Sequence, residues 1–79
     1  MSVKVFNNSN HKWLSKIRQH MISEQLEAVF LKRKSNAYPF SSYSEAKEWV
    51  DKLRNNGYKD YANDDWLFYE GDKLLSKNM

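Results

Sequence analysis

One stretch, "FSSYSEAKEWVDKLRNNG" (residues 40–57), limits the possible folds more than any other, because a helix's start, buried stripe and stop are all written into it. Ser42 is placed to cap the first turn, and Glu45, three residues on, completes a Ser-x-x-Glu capping box. Ala46, Trp49, Val50 and Leu53 fall on one apolar stripe. Lys47–Asp51 and Glu48–Lys52 are opposite charges four residues apart, each pair worth a few tenths of a kcal/mol. Gly57 supplies a left-handed stop. The spacing predicts a helix over 43–56.

The chain has 79 residues and no cysteine, so one domain (1–79) must be held by packing alone. Twelve aromatic residues supply the material for that core. "VKVF" (Val3–Phe6) alternates and predicts a short strand. "HKWLSKIRQHMI" sets Trp13, Leu14, Ile17 and Met21 on one arc of a helical wheel, which predicts an amphipathic helix with Lys12 and Lys16 on its back and Arg18 at its border. Ser9 or Asn10 would cap it. After Ser23 the phase slips. "LEAVFLKRK" is open between helix and strand, with propensity favouring a continued or kinked helix. "DWLFYEGDKLLSK" predicts a hairpin turning at Gly71-Asp72, with Glu70 opposite Lys73, Tyr69 opposite Leu74 and Phe68 opposite Leu75. The expected class is therefore α+β: a small, mostly antiparallel sheet, made of the C-terminal hairpin and the N-terminal strand, packed against two helices.

Few residues suit catalysis. His11 and His20 would lie about 180° apart on a helix and could not share a metal. Asp64, Asp65, Glu70 and Asp72 sit in turn contexts where Asp is common for backbone reasons. Gly57 and Gly71, the two glycines, each have a turn to make, which leaves none for a phosphate-binding loop. The expectation is a non-enzymatic protein with no metal and no cofactor.

Charge is the stronger lead. Residues 1–40 hold seven Lys/Arg and two acids, a net of +5, whereas residues 41–79 hold six and eight, a net of −2. Such asymmetry implies either one basic face or two halves that attract each other. In the first case Lys12, Lys16, Arg18, Lys32, Arg33 and Lys34 form a surface that binds nucleic acid or another polyanion, with Tyr38 as a ring on which an unpaired base stacks. The alternative is a protein–protein module or homodimer using Leu67, Tyr69 and Leu74 on the outer face of the hairpin. No apolar run is long enough to span a membrane, and "MSVKVFNNSN" lacks the apolar core of a signal peptide. The expected compartment is the cytoplasm.

The Asn-, Lys- and Tyr-rich stretches "VFNNSNHKW" and "RNNGYKDYANDDW", in a short cysteine-free chain, resemble the small accessory proteins of T-even-like bacteriophages. That resemblance is one of composition. It implies a phage-encoded inhibitor or adaptor that binds a host factor, such as a defence toxin or nuclease, and in some cases RNA.

Overall fold

The computed structural model describes residues 2–78. Five strands, β1 (Val3–Asn7), β2 (Lys12–Gln19), β3 (Leu26–Leu31), β4 (Trp66–Glu70) and β5 (Lys73–Asn78), form one antiparallel sheet in the order β3-β2-β1-β4-β5. One α-helix, α1 (Tyr43–Asn56), and a single 3-10 turn at Lys34–Asn36 complete the fold.

The expected second helix does not exist. Its residues form β2 and β3, and the phase slip after Ser23 is the β2–β3 hairpin turn. A β-bulge explains the misleading pattern. The β2–β3 register shifts between Leu14 and Lys16, so one extra residue enters β2. Leu14 and Ile17, which both pack toward the core, are thereby separated by three residues, the helical interval, where an unbroken strand would separate them by two.

Helix α1 forms where the sequence predicts it. Ser42 Oγ accepts from the Glu45 N–H at 3.1 Å, and the Glu45 carboxylate accepts from the Ser41 hydroxyl at 2.6 Å. Its stripe of Ala46, Val50 and Leu53 is fully buried against Val3, Val5, Leu14, Trp66 and Phe68. Gly57 is not the left-handed stop expected, since its φ is −79°. It is needed for space: a Cβ there would run into the Leu53 carbonyl oxygen and the Tyr61 ring. The close approach lets the following loop cover the edge of β3. Tyr58 N–H donates to the Leu26 carbonyl at 2.6 Å, and the Tyr61 hydroxyl accepts from the Ala28 N–H at 3.0 Å. Edge-strand groups that would otherwise invite another chain are thus occupied.

The C-terminal hairpin matches its expected register at Glu70–Lys73 and Tyr69–Leu74. Gly71 has φ +61°, as the first central residue of a type II′ turn requires. A bulge between Phe68 and Tyr69 then sets Phe68 opposite Ser76 and not Leu75. At the β1–β2 turn, "NNSN" does not cap a helix. The buried Asn7 side chain accepts from the Ser9 and Asn10 N–H groups at 2.9 and 3.1 Å and donates to Asp64 Oδ2 at 2.8 Å.

β2 and β1 pair only at Phe6–Trp13 and Asn7–Lys12. Beyond Leu14 the strands part, and Tyr38–Phe40 enters the gap. Tyr38 N–H donates to the Leu14 carbonyl at 2.9 Å, and Phe40 and Val3 exchange both backbone bonds at 2.8 and 2.9 Å.

Candidate nucleic-acid interface

The six cations singled out from the sequence divide into two kinds. Lys34 is turned onto the sheet. Its Nζ lies 5.5 Å from the Trp13 ring centroid and 5.6 Å from that of Tyr69, donates to the Gly71 carbonyl, and is 3.4 Å from Asp72 Oδ1. Lys4 Nζ in turn donates to the Lys34 carbonyl at 3.2 Å. Lys34 therefore holds the 3-10 turn over the face that α1 leaves open, where Trp13 meets Phe6 edge to face at 4.9 Å and Tyr69 at a tilt at 5.5 Å. Its charge is used inside the molecule.

The other five, Lys12, Lys16, Arg18, Lys32 and Arg33, have no carboxylate within ion-pair distance among the described residues. All lie on β2 or just past β3, although up to 21 positions separate them in the chain; Lys12, opposite Asn7, is on the core face of the sheet, and Lys16 and Arg18 are on the other. Lys16 and Arg18 share one face of β2, opposite Val29 and Glu27. Arg18 thus faces an acid, yet the Glu27 carboxylate turns to His20 Nε2 at 3.2 Å. His20 also stacks on Tyr58 with centroids 4.1 Å apart. His20 thus fastens the hairpin to the loop after α1.

Tyr38 is 45% exposed and stands 4.7 Å from Phe40, centroid to centroid. It forms one wall of a cleft of about 190 Å³, lined also by Leu14, Lys16, Ile17, Phe40 and Trp49. The cleft opens where β2 leaves β1. The sequence-derived pair Lys16 and Tyr38 thus meets at one hollow. Trp49 and the bulge that shapes the cleft carry no functional signal in the sequence. A larger but shallower depression of about 730 Å³ runs along the polar side of α1. Its charges already neutralise one another: Lys47 is 3.6 Å from Asp51, and Lys52 is 3.2 Å from Glu48.

The alternative anchors fare differently. Leu67 is buried at 9% exposure and Tyr69 lies beneath Lys34, which leaves Leu74 exposed. Much more apolar surface stands at the β2–β3 turn, where Met21 is 95% and Ile22 100% exposed. The C-terminal acids serve the fold. Asp64 binds Asn7, Asp65 accepts from Asn8 at 3.1 Å, and no three potential metal ligands converge among the described residues. Among those residues, no helix is long and apolar enough to cross a membrane.

Comparison of the chain with protein-family models, curated proteins and solved structures gives no match.

Proposed function

We propose that the protein is a non-enzymatic binding protein that holds RNA or another polyanion on the basic β2–β3 arm. On this reading it acts in the cytoplasm, and blocks or sequesters a macromolecule of a host cell, as the likeness to phage accessory proteins implies. The observation that carries the reading is the set of five cations on one hairpin arm that the protein's own acids leave unneutralised. Charges left unpaired in this way are available for phosphates, and each phosphate engaged releases counterions.

The test is titration of a labelled single-stranded RNA against the wild type and a Lys32→Glu/Arg33→Glu variant. Both residues are exposed, so the variant keeps its fold by circular dichroism. Affinity is expected to fall by about ten- to a hundredfold at low salt. Equal affinity of the two proteins would refute the reading.

A second reading, a protein–protein module without nucleic acid, draws on the exposed Met21 and Ile22, and no longer on the C-terminal hairpin. The turn that presents them is braced: His20 N–H donates to Gln25 O and Glu24 N–H to His20 O, both at 2.8 Å, and Asn56 Nδ2 reaches Glu24 O at 3.2 Å. Sedimentation separates the two readings. A dimer that ignores RNA and dissociates on Met21→Ser/Ile22→Ser supports the second, and a monomer that sediments faster with RNA supports the first.

A further inference from the structure

We infer that the Tyr38 cleft is a subsite for one unpaired nucleobase, which makes the basic arm selective for single strands. This rests on the polyanion reading above and names the ligand class within it. Leu14, 0% exposed, and Phe40, 2% exposed, make an apolar floor. Tyr38 and Trp49 stand as aromatic walls, and Lys16 occupies the rim without a carboxylate partner. No acid lines the hollow, so nothing in it repels a phosphate held at the rim. At about 190 Å³ and open to solvent, the hollow can admit a flat ring laid against Tyr38.

Lys52, paired with Glu48 at 3.2 Å, lays its Nζ 4.4 Å from the Trp49 ring centroid and so packs against that wall without adding free charge. A base stacked on Tyr38 would leave its sugar-phosphate at Lys16, with Arg18 two residues further along the same face of β2. Lys16 is the only lining side chain with a charged donor and the others are apolar or aromatic, so the cleft is built chiefly to grip a π-face and a phosphate. Binding is therefore tolerant of sequence but requires a base out of its helix, which a duplex does not offer.

The experiment compares three probes of matched charge: a single-stranded RNA octamer, a short RNA duplex and inorganic polyphosphate. The single strand is expected to bind about tenfold more tightly than the other two. Tyr38→Ala should lower the single-strand affinity to the polyphosphate level while polyphosphate binding stays the same, and Tyr38→Phe should restore the difference. The single strand alone should quench tryptophan emission, and the quench should vanish in Trp49→Phe. If single strand and polyphosphate bind alike and Tyr38→Ala changes neither, the cleft assignment is overturned while the basic arm stands. If none of the three probes binds, the polyanion reading fails and the cleft falls with it.

Discussion

The β2–β3 hairpin arm and helix α1 both carry several charges and use them in opposite ways. In α1, three cations and three acids cancel; Lys47 and Lys52 pair within the helix, and Arg54 donates to the Ala62 carbonyl at 3.1 Å. Such exposed pairs contribute little, typically ~0.2–1 kcal/mol each, but they leave the helix electrically quiet. The helix's buried stripe holds the core. The hairpin is the converse. Its β3 residues are only half-buried, its turn bares Met21 and Ile22, and its five cations have no acid partner. The helix gives the core three fully buried residues where the hairpin gives one, Leu14, and the hairpin arm carries the five cations left unpaired among the described residues.

Substitutions that exchange those properties test the contrast. The largest expected effect is on stability: Leu53→Ala removes a fully buried side chain and should cost ~2–5 kcal/mol in urea unfolding. RNA affinity of the molecules that remain folded should be unchanged. Next, Lys16→Glu/Arg18→Glu on the hairpin should weaken RNA binding by about ten- to a hundredfold, measured by fluorescence anisotropy. Lys47→Glu/Lys52→Glu, the same charge change on the helix, should have a far smaller effect. Equal losses from the two would mean that net charge, and not the arm, governs binding.

Lys34 divides the two roles within a single residue. Lys34→Met should lower stability by ~0.5–1 kcal/mol through loss of its contacts over Trp13 and Tyr69. The salt dependence of RNA binding should not change, because that ammonium is already engaged. The smallest effect expected is that of His20→Ala. Freed from His20, Glu27 can turn to Arg18 across the strand pair. RNA affinity should fall by about twofold, and it should recover in His20→Ala/Glu27→Gln.

The same two regions mark how far the sequence could be read. Helix α1 was legible because every local signal agreed: cap, stripe, charge pairs and a glycine. The Gly57 requirement was visible, but its cause was not, since the cause is a steric approach by Tyr61 from further along the chain. The hairpin reads as a helix because a bulge at Leu14/Lys16 imitates helical spacing, and because its pairing depends on tertiary contacts that composition does not encode. The polar turn "NNSN" hid a buried organiser, Asn7, whose partner Asp64 lies 57 residues away. Of the candidate site, the cationic residue types could be read from the sequence. Which of them are neutralised could not. Lys32, Arg33 and Lys34 are consecutive, and only the fold separates two free charges from one that straps the sheet.

The most direct measurement is the slope of log affinity for single-stranded RNA against log salt concentration. Five phosphate contacts from Lys12, Lys16, Arg18, Lys32 and Arg33 predict a slope of about −3.5, at ~0.7 per cation on a single strand. It should become shallower by ~1.4 when Lys32 and Arg33 are both replaced by Gln. A flat dependence, or a slope that the double replacement leaves unaltered, would contradict the assignment of the hairpin arm as the binding surface.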